Sequence, residues 1–210
     1  PSYALIIVDV QKDFCPGGSL AVAKGDEIVP IINSLQEQFF TVIFTQDWHP
    51  VDHVSFASNN EADLFTLQEV TLPDGTPTKQ IMWPDHCVQE STGADFHSDL
   101  HMSKDSKIVQ KGTHKLVDSY SGFGDALDGK YETTPLDLLL KEKGITTVYV
   151  VGLAFDYCVG FTALDAQKKG YKTYIIEDAT RSVSEESFIV MKKQLEEAGV
   201  TLFPSSGLIV

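Results

Sequence analysis

The sequence predicts an α/β protein: a single-domain, three-layer α/β/α arrangement around a mostly parallel sheet of about six strands. Three observations predict it. Short unbroken apolar runs recur along the chain, as expected of strands buried on both faces. Between them lie segments whose apolar residues fall at three- and four-residue steps, the period of an amphipathic helix. The two patterns alternate, which favours parallel pairing through right-handed crossovers. No internal repeat or linker divides the 210 residues, so residues 1–210 are expected to share one core.

Residues 3–9 form the first apolar run, ending in the carboxylate of Asp9. After the turn-rich Pro16-Gly17-Gly18-Ser19, Ile28, Ile31, Ile32, Leu35 and Phe39 predict a helix over 26–40. Residues 41–45 read as the second strand. Residues 46–107 show little periodicity, and 57–80 within them read as a long loop or insertion containing the turn Pro73-Asp74-Gly75; loops of this length in a compact domain are usually functional. Residues 108–111 read as a short strand. Thr134-Pro135 fits an N-cap followed by proline at the first helical position, with Leu136, Leu139 and Leu140 on the apolar face. Strands are expected at 146–152, 172–177 and 201–203, with helices at 158–169 and 185–198.

Composition excludes several functions. A formal charge of -14 opposes phosphate backbones, so no nucleic-acid partner is expected; a small neutral substrate would hardly feel the same field. The longest apolar runs fall far short of the roughly 20 residues that span a bilayer, and the first residues lack the basic region and cleavage site of a secretory signal. A cytoplasmic location without membrane association is therefore expected. The three cysteines, Cys15, Cys87 and Cys158, are odd in number and widely spaced, which indicates neither a disulfide framework nor an all-thiolate zinc site.

Parallel sheets carry their ligand sites at the carboxyl ends of strands. That rule selects Asp9, the Asp47 region, Lys111 and the segment around Cys158 as neighbours. Asp47-Trp48-His49, His53 and His86 supply three imidazoles and a carboxylate, a set suited to Zn, Fe or Mn, and the two-residue step from Asp47 to His49 places both on one face of an extended segment. Surface or capping roles fit the same histidines taken singly. Cys158 falls where strand and loop give way to a helix, a position that can lower a thiol pKa and offer free N–H groups to an oxyanion; a small buried hydrophobe is the competing reading. Asp9 would be raised in pKa by burial and so fitted for proton transfer, and Lys111 could set the charge state of both.

Taken in order, these residues carry a resemblance. Leu5-Ile6-Ile7-Val8-Asp9-Val10-Gln11-Lys12-Asp13-Phe14, Gly17-Gly18-Ser19-Leu20, Asp47-Trp48-His49, His53, Trp83-Pro84-Asp85-His86-Cys87-Val88, Lys111-Gly112, Tyr120-Ser121-Gly122-Phe123 and Gly152-Leu153-Ala154-Phe155-Asp156-Tyr157-Cys158-Val159 resemble, over nearly the whole chain, the nicotinamidases of the isochorismatase-like hydrolase superfamily, a Rossmann-like fold. The resemblance implies a cytoplasmic amidohydrolase of NAD salvage that cleaves nicotinamide to nicotinate and ammonia. It implies Asp9, Lys111 and Cys158 as catalytic triad, and Asp47, His49, His53 and His86 as ligands of one divalent metal, Zn being expected over Fe or Mn. It also implies an oxyanion hole from the backbone amides of Ala154 and Cys158, a non-proline cis peptide between Leu153 and Ala154, and Phe14, Trp83, Tyr120 and Leu153 as substrate-binding residues. A homo-oligomer is compatible with all of this. Competing readings are a relative acting on another small amide, a metallohydrolase using metal-bound water with Cys158 structural, and a non-catalytic metal or small-molecule binder.

Overall fold

The computed structural model describes residues 1–209. In chain order its regular elements are β1 (Tyr3–Val8), α1 (Ile28–Gln36), β2 (Thr41–Asp47), β3 (Leu67–Thr71), β4 (Pro77–Ile81), β5 (Lys107–Lys111), α2 (Leu136–Glu142), β6 (Thr147–Leu153), α3 (Gly160–Lys168), β7 (Lys172–Arg181), α4 (Glu185–Glu197) and β8 (Thr201–Phe203). Six strands form one sheet in the order β5-β2-β1-β6-β7-β8, and each adjacent pair is parallel.

Alternation along the central strands builds the layers. Ala4, Ile6 and Val8 of β1 and Val148 and Val150 of β6 pack with Leu136 and Leu140 of α2, Ala163 and Ala166 of α3, and Met191 and Leu195 of α4. On the opposite face Leu5, Ile7, Val151 and Leu153 pack with Ile28, Ile32 and Leu35 of α1. Both faces of β1 and β6 are thus covered, which is why those runs read as unbroken apolar stretches. Burying such a branched side chain contributes about 1.5–3 kcal/mol.

The strand order places the site. From β1 the chain steps outward through β2 to β5, then returns to the other side of β1 as β6. The order therefore reverses between β1 and β6, and the crevice at their carboxyl ends is the place where such sheets receive ligands. Gly152, paired with Val8 across that seam, has φ +118°, and a Cβ there would overlap the Val8 carbonyl. Close approach of the two strand ends requires glycine.

Several elements differ from the sequence-based expectation. The helix over 26–40 is shorter: a 3₁₀ turn at Gly25–Glu27 precedes α1, and a further turn, with the Phe39 N–H on the Gln36 carbonyl (3.1 Å), follows it. The helix expected from Cys158 starts earlier, as a π-helical turn, Phe155–Val159, continuous with α3. Residues 57–80 are not all loop, because β3 and β4 pair as an antiparallel hairpin. Most of its side chains are solvated, so no apolar alternation marks it. β7 runs to Arg181, beyond 177, past a register shift opposite Val150 and Gly152. At α2 the cap lies at Pro135, yet Thr134 still accepts the Leu136 N–H through its hydroxyl (3.3 Å).

Candidate active site

The sheet edge delivers Lys111, the last residue of β5, opposite Asp47, the last of β2. Lys111 is completely buried. Its ammonium lies 2.8 Å from Asp9 Oδ2, 2.5 Å from Asp47 Oδ1 and 3.3 Å from Cys158 Sγ, and donates to the Ser119 carbonyl at 3.3 Å. Asp9 follows β1 directly with φ +50°, and its Oδ1 accepts the Thr45 hydroxyl at 2.7 Å. Four strand ends thereby bring two carboxylates, one ammonium and one thiol together in a buried crevice.

Burial and pairing set their charges. Burial raises Asp9 more than Lys111 lowers it, so its carboxyl stands above the ordinary range, while burial of Asp47 is outweighed by Lys111 and His49, which hold it well below. Burial opposes the ammonium of Lys111, and Asp47 and Asp9 overcome it to keep the charge. Burial pushes the Cys158 thiol well above its ordinary value, with Lys111 pulling the other way. Burial therefore favours the thiol over the thiolate, and attack needs a neighbouring base.

The predicted metal ligands assemble beside Asp47. His49 Nε2 and His86 Nε2 lie 3.3 and 3.8 Å from Asp47 Oδ2, and His53 stacks on His49 with ring centroids 4.1 Å apart. Each imidazole has its Nδ1 engaged: His49 with the Gly112 carbonyl (2.7 Å), His53 with Ser55 Oγ (2.8 Å) and His86 with the Pro84 carbonyl (2.7 Å). Such partners orient imidazoles and leave Nε2 for a cation. Among the described residues the buried His53 Nε2 has no hydrogen-bond partner, as expected of a donor built for something other than protein. Burial takes His53 down to about 3 and His86 down to about 4, whereas for His49 burial is outweighed by Asp47, which lifts it to about 9. The residues fit a divalent cation, in two overlapping groups that share His49: Asp47, His49 and His86, and His49, His53 and Asp118. Gly112, at φ +67°, must be glycine, because a Cβ would overlap the His49 ring.

A pocket opens above these groups, lined by Phe14, Leu20, Val22, Trp83, Tyr120, Tyr157 and Val183, with Asp47, His86, Asp118, Ala154 and Cys158 at its polar end. Phe14, Trp83 and Tyr120 come together in this lining. Trp83 Nε1 donates to the Tyr120 hydroxyl at 3.0 Å. Leu153 is a correction: its side chain is fully buried against the α1 layer, contributes nothing to the pocket wall and packs beside Gly25. Strand alternation explains it, since Leu153 shares the face of Val151. Leu153 and Ala154 are joined by the expected cis peptide. Among the described residues the Ala154 N–H donates to no backbone carbonyl, and the carbonyl of Ala154 takes the N–H groups of Tyr157 and Val159 at 3.1 and 3.0 Å.

Sequence reasoning missed several residues that shape the site. Asp118 joins both the pocket and a cation group. Gln11 accepts the Asp47 N–H at 2.9 Å and donates to the Asp47 carbonyl at 2.8 Å, clamping that residue. Gln80 of β4 reaches Asp118 Oδ2 (3.4 Å) and the Tyr120 hydroxyl (3.3 Å). Gln11 stood inside the resembling stretch; Asp118 and Gln80 lie in aperiodic sequence with no local signal.

A family model described as the isochorismatase domain matches residues 3–203. A nicotinamidase of Acinetobacter baylyi is 47% identical over 180 residues, covering 86% of this chain and 81% of its own. Among solved structures, an Acinetobacter baumanii nicotinamidase/pyrazinamidase is 43% identical with a TM-score of 0.90, covering 99% of this chain and 98% of its own. A pyrazinamidase of Pyrococcus horikoshii in complex with zinc is 33% identical with a TM-score of 0.79, covering 97% of this chain and 99% of its own. The chain belongs to the isochorismatase family and, within it, to the nicotinamidases.

Proposed function

We propose that the protein hydrolyses nicotinamide to nicotinate and ammonia, a reaction of NAD salvage, through a thioester on Cys158. One observation carries the reading: a fully buried Lys111 ammonium in contact with both Asp9 and the sulfur of Cys158. The nicotinamidase relatives support the substrate.

Asp9, its carboxyl raised by burial, accepts the thiol proton. Lys111 stabilises the thiolate as it forms. The sulfur attacks the carboxamide carbon, and the backbone amides of Ala154 and Cys158 receive the oxyanion. Collapse breaks the C–N bond, with Asp9 returning its proton so that ammonia departs. Water, deprotonated by Asp9, then attacks the thioester and releases nicotinate and the thiol. Phe14, Trp83 and Tyr120 clasp the pyridine ring and fix the amide near the sulfur, where positioning lowers the barrier.

Asp47, His49, His53 and His86 would hold one zinc ion, the metal that suits three imidazoles and a carboxylate and that the Pyrococcus horikoshii relative contains. When bound, it supplies a Lewis-acidic anchor for the pyridine nitrogen. Asp47 links the two halves, accepting from Lys111 through Oδ1 while Oδ2 faces His49 and His86. Zinc-loaded protein incubated with nicotinamide should release ammonia and nicotinate in equal amounts, and thiol alkylation should stop the reaction while zinc stays bound. Activity that survives alkylation of Cys158 would contradict the thioester.

A further inference from the structure

The segment between β5 and α2 contains a carboxylate that the reaction above does not use. Half-buried Glu132 accepts four hydrogen bonds: from the N–H groups of Gly112 and Thr113 (3.1 and 2.9 Å), the Thr113 hydroxyl (2.7 Å) and the Ser119 hydroxyl (2.6 Å). Two of these residues hold the site through their carbonyls. The Gly112 carbonyl is the partner of His49 Nδ1 at 2.7 Å, and the Ser119 carbonyl accepts from Lys111 Nζ at 3.3 Å.

Glu132 is itself fixed. The buried Asp125 accepts the N–H groups of Tyr131 and Glu132 through Oδ2, each at 2.8 Å, and those of Leu127 and Gly129 through Oδ1 at 2.8 and 3.1 Å. The Asp125 N–H donates back to the Glu132 carbonyl at 3.0 Å. A chain of contacts thus runs from Asp125 through Glu132 to the two carbonyls that orient His49 and Lys111.

We infer that Glu132 is a positioning residue for both halves of the site, holding His49 toward the cation through Gly112 and Lys111 toward the sulfur through Ser119. The inference rests on the roles proposed above for His49 and Lys111. A carboxylate suits the task because four donors converge on two oxygens that only accept. A glutamine there keeps one accepting oxygen and turns N–H groups toward donors. Gly112, the direct partner of His49, is of the kind that sets imidazole tautomer and direction in metal sites, and Glu132 holds Gly112 one hydrogen bond further out.

The test compares wild type, Glu132→Gln, Glu132→Asp and Ser119→Ala. Zn²⁺ affinity of the metal-free proteins is measured by chelator competition, kcat and KM for nicotinamide at saturating Zn²⁺, and thermal midpoint alongside. Glu132→Gln should weaken Zn²⁺ by about 3- to 10-fold, below the roughly 10–100-fold of a direct imidazole partner, and lower kcat more than it raises KM, and Glu132→Asp should recover part of both. Ser119→Ala, which cuts the arm toward Lys111 alone, should lower kcat with Zn²⁺ affinity within about twofold of wild type. A folded Glu132→Gln protein with wild-type Zn²⁺ affinity and kcat overturns the inference, as does one that loses thermal stability alone. If Glu132→Gln does not fold, unchanged kcat in Ser119→Ala overturns it. Wild type that binds Zn²⁺ yet releases no ammonia would remove the proposed reaction instead, leaving the Zn²⁺ comparison to decide the role of Glu132 toward His49.

Discussion

Lys111 sits where two buried carboxylates and a thiol meet, and its neighbours divide into one whose charge it stabilises, Asp47, and two it does not fully stabilise, Asp9 and Cys158. Replacing it by methionine should abolish turnover and also destabilise the fold by about 3–5 kcal/mol, because Asp9 is left buried without a counter-charge and Asp47 keeps only its histidines; a denaturant titration at pH 7 checks the second point. Asp9 should behave oppositely. Its folded pKa is raised above the unfolded value near 3.8, so the native state binds the proton more tightly, and the stability this contributes is present at low pH and lost as pH rises through the folded pKa. Asp9→Asn should therefore lower kcat by about 10²–10⁴-fold while its thermal midpoint at pH 7 stays at or above that of wild type. A lower midpoint would contradict the assignment of a costly buried carboxylate. These residues could be picked out because each lies at or within a few residues of the end of a strand-like run: Asp9, Asp47, Lys111 and, one loop later, Cys158. Asp118 and Glu132 were not, since nothing near them in sequence shows that they meet His53 or Gly112 across the fold. Leu153 was misplaced because a motif names neighbours in sequence, and strand parity decides which face each side chain takes.

Among the elements, the β3–β4 hairpin braces the pocket from behind through Gln80, which touches the lining residues Asp118 and Tyr120. Gln80→Ala should raise KM for nicotinamide several-fold with a smaller effect on kcat, on the order of one lost hydrogen bond, about 1 kcal/mol. Equal falls in kcat and kcat/KM would instead place Gln80 in the transition state. The hairpin escaped sequence reading because its residues are largely solvated and lack alternation. The π turn at Phe155–Val159 escaped for a different reason. Phe155, Cys158, Val159, Ala163 and Ala166 keep an ordinary helical apolar stripe through it, so hydrophobic periodicity is the same whether the backbone bonds run four residues or five. The long helices and central strands, whose cores repeat over several turns or pairs, were read to within a few residues.

Over the whole molecule, the reversal of strand order between β1 and β6 gathers groups from residue 9 to residue 158 at one end of the sheet. Alternating strand and helix patterns were enough to predict that end as the site, although the order of the strands was not in the pattern. The net charge of -14 leaves a neutral amide free to approach. Because the cation groups draw on β2, the loop after it and the segments after β4 and β5, metal binding should stabilise the entire domain. Zn²⁺ at 100 times its Kd should add about 2.7 kcal/mol to unfolding, seen as a rise in thermal midpoint that a chelator reverses and that His49→Ala abolishes.

The central claim is that the Cys158 sulfur attacks a carboxamide. It is tested most directly by measuring ammonia and nicotinate release from nicotinamide by zinc-loaded wild type and Cys158→Ala, with zinc content assayed in both. The account predicts equal release of both products by wild type and none above background in Cys158→Ala, with zinc retained. Sustained release by a zinc-loaded Cys158→Ala protein would contradict it.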